Sequence, residues 1–192
     1  MSRIAPLHVD DLPVNQKALV QRAEEMLGFV ANDALIMARN PALAEGLGAL
    51  VAAVYAPGSV DAGLKRLVGL VTSAAAGCQY CMGHTAFTSQ HHGIDEEKVA
   101  AVWEFETSML FTDSERAALR IGLLAGQTPN GVTDEAWAEF AEHFDENGQL
   151  EVVAVIAMFG FLNRWNSTLA TDLESLPFEA LRRVRPAQEE LE

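Results

Sequence analysis

Hydrophobic residues recur at helical spacing along most of the chain. After Asp61, a residue type common at helix N-caps, leucines and valines fall on one face of a helix that we predict over Asp61 to Ala76, with Gly77 ending it. Similar patterns predict further helices over 14–38, with a break near Gly28, and over 41–55, 95–105, 113–125 and 134–144. No segment alternates between hydrophobic and polar residues with a period of two. The pattern therefore predicts an all-α fold.

The segment from Leu150 to Ala170 is hydrophobic nearly all round, which is typical of a buried helix. We therefore predict that it forms the central helix of the fold. The segment after Pro186 is acidic, and we expect it to fray.

Size and charge narrow the kind of protein. The 192 residues suit a single domain, which we predict over residues 1–192. The net charge of −14 repels nucleic acid and anionic lipid surfaces. Residues Met1 to Pro13 lack the features of a signal peptide, and the longest apolar segment is too short to span a bilayer. We expect a cytoplasmic protein that binds neither nucleic acid nor membranes.

The chain has two cysteines, and they lie close together in the segment Cys78-Gln79-Tyr80-Cys81. A secreted protein of this size would be expected to spread its cysteines as distant crosslinks. A lone close pair indicates redox chemistry or metal binding.

Helix geometry favours redox chemistry at this pair. If Gly77 closes one helix and Cys78 opens the next, the free N–H groups at the helix start favour a thiolate at Cys78. Cys81 lies one turn further on, within reach for a disulfide, and His84 follows close enough to exchange a proton with the Cys81 thiol. Such a unit can reduce a peroxide through a sulfenic acid and a disulfide, which an external dithiol then reduces.

The cysteine pair is also compatible with two roles that involve no redox chemistry. The cysteines could be small buried hydrophobic residues. Alternatively, both cysteines and His84, together with His91 or His92, would supply four zinc ligands, although four ligands on one helix surround an ion poorly. A role at the C-terminal end of the helix accounts for His91 and His92 more simply.

The segment from Leu64 to Gln90 reads LKRLVGLVTSAAAGCQYCMGHTAFTSQ. It resembles the core motif of the AhpD-like alkylhydroperoxidases in the carboxymuconolactone decarboxylase superfamily. The likeness extends over residues 40–103, and a weak second repeat is possible over 113–170. The cysteine pair points to the peroxidase-related branch, because the decarboxylases that name the superfamily typically lack it.

The resemblance implies an AhpD-like helical bundle that forms homo-oligomers, as a dimer, trimer or hexamer. It implies that Cys81 attacks the peroxide, that Cys78 resolves the product and that His84 belongs to a proton relay. The helix dipole alone would instead favour Cys78 as the more acidic thiol. The implied partners are a small hydroperoxide and a dithiol reductant such as a dihydrolipoyl-bearing protein, with no metal or organic cofactor.

The chain departs from the family pattern at two positions. His84 follows the second cysteine after two intervening residues, where the family commonly has three. Arg66 stands where the family commonly has the relay glutamate, and an arginine cannot act as a base at neutral pH. Glu115, which matches that place in the weak repeat, is one candidate for the missing carboxylate, although Thr112 to Glu115 also reads as a helix capping box. Glu45 is a second candidate.

Two functions therefore remain. The first is a thiol-dependent peroxidase that reduces organic hydroperoxides through a Cys78–Cys81 disulfide. The second is a redox-responsive module without catalysis, or a general disulfide oxidoreductase, that uses the same pair.

Overall fold

The computed structural model describes residues 1–184, apart from the side chains of Asn15, Leu19 and Met26. The described residues form ten α-helices and two short 3-10 helices and no strand, so the predicted all-α fold is confirmed. The predicted fraying after Pro186 concerns residues outside this range. In chain order the helices are α1 (Val14–Leu27), α2 (Asn32–Met37), α3 (Pro41–Val54), α4 (Ala62–Ala75), α5 (Gln79–His91), α6 (Glu96–Ala100), α7 (Asp113–Ala125), α8 (Asp134–His143), α9 (Glu146–Leu169) and α10 (Ser175–Val184).

Several helix ends lie where the sequence places capping residues. The Asp61 carboxylate accepts hydrogen bonds from the backbone N–H groups of Gly63, at 2.8 Å, and Leu64, at 3.1 Å, and so caps α4. Gly77 follows the end of α4 with a φ of +70°, and Gly28 ends α1 with a φ of +79°. Both values lie in the left-handed region that glycine adopts without strain. Residues 14–38 therefore form two helices, with the break at the predicted glycine.

Two segments differ from the predicted helices. Residues 95–105 form the short helix α6 followed by a 3-10 turn over Ala101–Glu104. Helix α10 was not predicted at all, and it packs against α5, the helix that carries the cysteines.

Helix α4 lies at the centre of the fold. It packs against α5, α7 and α9, and the side chains of Val68, Leu70 and Val71 on it are fully buried. Gly69 permits the close approach of α9, because a Cβ atom at this position would lie 2.4 Å from the Phe159 ring. The side chains that form the main core come from nearly every helix from α3 to α10.

Helix α9 was predicted as the buried central helix, and this prediction is wrong for one of its faces. Val152 and Val155 are fully buried, but Leu150 is 67% exposed and Val153 and Phe161 are each 39% exposed. Helix α9 therefore carries more hydrophobic side chains than packing within one chain buries. The predicted homo-oligomer stays a prediction. None of the helices that the structure describes is both long and apolar enough to cross a membrane.

A buried ion pair ties α4 to α9. The Lys65 ammonium group lies 2.9 Å from a Glu151 carboxylate oxygen and donates hydrogen bonds of 3.0 Å to the backbone carbonyls of Val54 and Ala56. Glu151 in turn accepts a hydrogen bond from the backbone N–H of Ser59, at 2.8 Å. The pair therefore fixes the loop between α3 and α4 against α9.

Candidate functional site

The two cysteines lie at the start of α5. Cys78 is the N-cap residue, and its backbone N–H donates to the Ser73 carbonyl at 2.9 Å across the tight turn made by Gly77. Cys81 follows one turn later, and its sulfur lies within hydrogen-bonding reach of Cys78. Both are free thiols, and they are 2% and 3% exposed. The predicted local geometry, with two thiols on consecutive turns at a helix start, is present.

The two thiols share protons unequally. The hydrogen bond from Cys81 lowers the pKa of Cys78 to about 6, although burial would raise it. The backbone N–H groups of Cys81 and Tyr80 and the Ser167 hydroxyl lower this pKa further. The Cys78 side chain forms no capping hydrogen bond with the helix. The pKa of Cys81 is raised, first by that same hydrogen bond and then by burial and the charges of Cys78 and Asp33. These shifts favour the negative charge on Cys78 and the proton on Cys81, mainly through the hydrogen bond between the two thiols.

Access to the pair is also unequal. A cavity of about 200 Å³ lies beside α5, and Cys81 borders it while Cys78 does not. Its apolar wall is formed by Val51 of α3 and by residues of α9, and these α9 residues are Met158, Phe159 and Leu162. A small molecule entering this cavity would meet Cys81 first.

His84 pairs with a carboxylate that the sequence did not indicate. Its Nε2 atom lies 2.6 Å from Oε2 of Glu174, the residue that precedes α10. The other Glu174 oxygen accepts hydrogen bonds from the Tyr80 hydroxyl, at 2.9 Å, and from the backbone N–H of Asn32, at 2.6 Å. The Tyr80 ring stacks on the imidazole with centroids 4.3 Å apart. Glu174 and Tyr80 together therefore orient His84.

A chain of hydrogen bonds continues from Tyr80 to the Cys81 sulfur. The Tyr80 hydroxyl lies 3.2 Å from Asp33 Oδ1 and accepts a hydrogen bond from the Asp33 N–H at 3.2 Å. Asp33 Oδ2 accepts from Asn166 Nδ2 at 3.3 Å, and the same nitrogen lies 3.6 Å from Cys81 Sγ. His84 and Cys81 are therefore linked through side chains from α2, α9 and the residue preceding α10.

Gly83 accounts for how α10 comes close enough for Glu174 to reach His84. A Cβ atom at Gly83 would lie 2.8 Å from the Pro177 carbonyl, so only glycine lets the two helices approach this closely. The sequence does carry a signal for α10, because hydrophobic residues recur at helical spacing from Leu173 to Val184. Recognising that helix would have made Glu174 a candidate.

Glu115, one of the two carboxylates proposed from the sequence, belongs to the capping box of α7. Its carboxylate accepts from the Thr112 N–H at 2.9 Å, and it pairs with Lys98 at 2.6 Å. The structure therefore replaces Glu115 by Glu174 as the carboxylate beside His84. Glu45, the second candidate, lies on α3, and its role stays a prediction.

Arg66 also borders the cavity. Its guanidinium carbon lies 4.0 Å from the centre of the Tyr55 ring, and its Nη2 lies 2.8 Å from Nε2 of His92 at the end of α5. His91 instead packs its ring on Phe87, with centroids 4.4 Å apart. Within residues 1–184, no group of three or more His, Cys, Asp or Glu side chains is arranged to hold a metal ion.

The structure is therefore an all-α protein with a Cys-x-x-Cys dithiol at the start of a helix and a histidine–carboxylate pair beside it. Residues 41–122 match the model of the carboxymuconolactone decarboxylase family. The debrominase Bmp8 is 32% identical to this chain, with a TM-score of 0.89, and the match covers 95% of this chain and 97% of the Bmp8 chain. Structures of Bmp8 include the apo protein and a cysteine-to-alanine variant in complex with 2,3,4-tribromopyrrole. The chain belongs to the carboxymuconolactone decarboxylase family and has an AhpD-like fold.

Two further relatives are more distant. An uncharacterised, peroxidase-related protein with an AhpD core from Ralstonia eutropha JMP134 has a TM-score of 0.81 over 96% of this chain and 97% of its own, and at 22% identity it shows the fold alone. The uncharacterised protein YnjA of Escherichia coli is 28% identical over 125 residues, which cover 65% of this chain. That match spans 66%, just under two thirds, of YnjA's own length.

Proposed function

We propose that this protein is a dithiol reductase that transfers two electrons from Cys81 and Cys78 to a small organic hydroperoxide. The observation that carries the proposal is the arrangement of the two sulfurs, with Cys81 on the cavity and Cys78 directly behind it. The mostly apolar wall suits an organic substrate, and His84, which also borders the cavity, can exchange a proton with the leaving group.

The first step forms a sulfenic acid. As the Cys81 sulfur attacks the distal peroxide oxygen, its proton passes to Cys78, whose lowered pKa leaves its sulfur deprotonated at neutral pH and so able to accept that proton. The O–O bond breaks, and the leaving alkoxide takes a proton from the relay at His84 to depart as an alcohol. Cys81 is oxidised to the sulfenic acid and the peroxide is reduced.

The second step forms the disulfide. The Cys78 sulfur attacks the Cys81 sulfenic acid, an S–S bond replaces the S–O bond, and the hydroxyl group leaves as water with the remaining thiol proton. An external dithiol, for which we propose the dihydrolipoyl class, then reduces the disulfide by thiol exchange. The sum is one peroxide and one dithiol converted to an alcohol, water and an oxidised dithiol.

The experiment is a turnover assay with purified protein, cumene hydroperoxide and dihydrolipoamide, in which loss of hydroperoxide is followed. We expect many turnovers per protein, a loss of at least about a thousand-fold in Cys81→Ser, and a single stoichiometric oxidation without cycling in Cys78→Ser. One oxidation per wild-type molecule with no further turnover would contradict the enzyme proposal and leave a redox-responsive module.

A second candidate substrate is a brominated aromatic compound, because the 32% identity to the debrominase Bmp8 extends over 95% of the chain. The electron balance is the same: Cys81 takes the bromine, the carbon takes a proton, and Cys78 displaces bromide to form the disulfide. The assay is repeated with 2,3,4-tribromopyrrole, and bromide release is measured. Faster turnover of 2,3,4-tribromopyrrole than of cumene hydroperoxide would make dehalogenation the main activity.

A further inference from the structure

Arg66 is a cation in the cavity wall that lacks a negative partner. Its guanidinium group packs on the Tyr55 ring at 4.0 Å and donates to the His92 imidazole at 2.8 Å. Burial and the nearby Arg66 charge lower the pKa of His92, which keeps this imidazole neutral and able to accept. None of the ion pairs formed by the described residues includes Arg66.

Two polar atoms next to this cation also lack aligned hydrogen-bond partners within the described structure. They are the Tyr55 hydroxyl and the Arg66 Nε, and both are buried. Both side chains border the same cavity as Cys81. Buried polar groups are nearly always paired, and here the Arg66 charge and the Tyr55 hydroxyl offset only part of each other's burial. Such groups beside a reactive thiol are what a polar ligand group would satisfy.

The carboxylates near Cys81 are already paired, and the Asn166 side-chain oxygen, which is buried there without a partner in the described structure, is an acceptor that cannot bind an anion. The Asp33 carboxylate accepts from Asn166 at 3.3 Å, and Glu174 is paired with His84 at 2.6 Å. In a chain with a net charge of −14, an unpaired cation at a cavity therefore marks a local preference for anions.

We propose that Arg66 and Tyr55 form a subsite for an anionic group of the substrate, a carboxylate or a group of similar size, which places the reactive bond over Cys81. The cavity of about 200 Å³ is smaller than typical sites for drug-sized ligands, so the substrate is a small organic acid. Arginine suits this role because its planar N–H groups bind a carboxylate at two points. The inference rests on the proposed function, in which Cys81 is the attacking thiol.

The test uses two alkylating reagents that differ mainly in charge, the anion iodoacetate and the neutral iodoacetamide. Rates of Cys81 modification are followed by peptide mass, and each pair of rates is expressed as the ratio of iodoacetate to iodoacetamide. We expect a wild-type ratio above that of free N-acetylcysteine, despite the negative charge of the protein. We expect Arg66→Gln to lower the ratio about tenfold and Tyr55→Phe to lower it about threefold. Effects on thiol reactivity itself largely cancel in the ratio.

Two further variants complete the test. Arg183→Gln removes the same charge from an exposed site paired with Glu96 and should leave the ratio unchanged. Arg66→Lys keeps the charge without the planar group, and an intermediate ratio is expected even if Arg66→Gln does not fold. Equal ratios in wild type, both Arg66 variants and N-acetylcysteine would overturn the subsite alone. Failure of both reagents to modify Cys81 would overturn the proposed function and the subsite with it.

Discussion

The two sides of Cys81 differ in how completely their polar groups are paired. On one side, His84, Glu174 and Tyr80 form a continuous set of hydrogen bonds that Asp33 and Asn166 extend to the sulfur. On the other side, the Tyr55 hydroxyl and the Arg66 Nε have no aligned partner in the described structure. On the first side the charged groups are all paired before any ligand arrives, and within the described structure only the Asn166 side-chain oxygen of this set is buried without a partner. In the proposed subsite, an anionic ligand completes the second side.

Neighbouring residues on α4 repeat this contrast. Lys65 is 2% exposed and lies among Glu151 and two backbone carbonyls, whereas Arg66 contacts only neutral rings. A buried cation with a full set of acceptors stabilises the fold through the groups it joins. A cation without them is available for binding.

The largest effect is expected on stability, from Lys65→Met. It leaves the partly exposed Glu151 carboxylate without its cation and the Val54 and Ala56 carbonyls without their donor, and we expect the free energy of unfolding to fall by about 3 kcal/mol. Arg66→Gln should change it by less than about 1 kcal/mol, because no carboxylate loses a partner. Urea denaturation followed by circular dichroism measures both. Equal losses would remove the contrast between the two cations.

The next effect concerns the paired side of the site. Since we propose that His84 exchanges protons with the leaving atom, we expect His84→Gln to lower kcat/KM by about 100-fold. The matched control is His91→Gln on the same helix, whose ring packs on Phe87, and it should stay within about twofold of wild type. Steady-state turnover with the better of the two substrates is the measurement. Similar losses in both variants would point to damage to α5 and not to proton transfer.

A pH dependence of stability is expected from Glu174. Burial alone would raise the pKa of Glu174, but the hydrogen bond and charge of His84 offset it, and the pKa is lowered overall. A lowered pKa in the folded state adds stability above the ordinary glutamate value of about 4.3, which is lost as the pH falls through the folded pKa. Glu174→Gln should therefore cost about 1–2 kcal/mol at pH 7 and less in acid.

Denaturation curves at pH 7 and at steps down to pH 3 measure this dependence. Glu179→Gln, at an exposed position on α10, the helix that Glu174 precedes, is the control and should follow the wild-type curve. A constant difference between Glu174→Gln and wild type at every pH would contradict a role of the charged carboxylate.

The smallest effect is expected at Asn166. Its amide lies 3.6 Å from the Cys81 sulfur and lowers the pKa of Cys81, so Asn166→Ala should slow alkylation of Cys81 at neutral pH about threefold. Asn163→Ala is a matched control, since this buried amide one turn earlier has no hydrogen-bond partner within the described residues. The pH profile of iodoacetamide labelling distinguishes them. Superimposable profiles would show that the Asn166 contact does not tune the thiol.

Local features of the site could be predicted from the sequence. The Asp61 cap, the break at Gly77 and the spacing of the cysteines depend on residues within one or two helical turns. Helix α9 was less predictable, because its pattern shows which residues are hydrophobic and not which face meets another helix.

The sequence by itself therefore determined an all-α fold with Cys78 and Cys81 on consecutive turns, since helical geometry alone sets those positions. Only the tertiary structure decided which carboxylate meets His84 and which cation is left unpaired. Glu174 lies 90 residues from His84 along the chain, and the two meet because α10 packs closely over Gly83. Contacts at such separation depend on how helices pack, which no local pattern specifies.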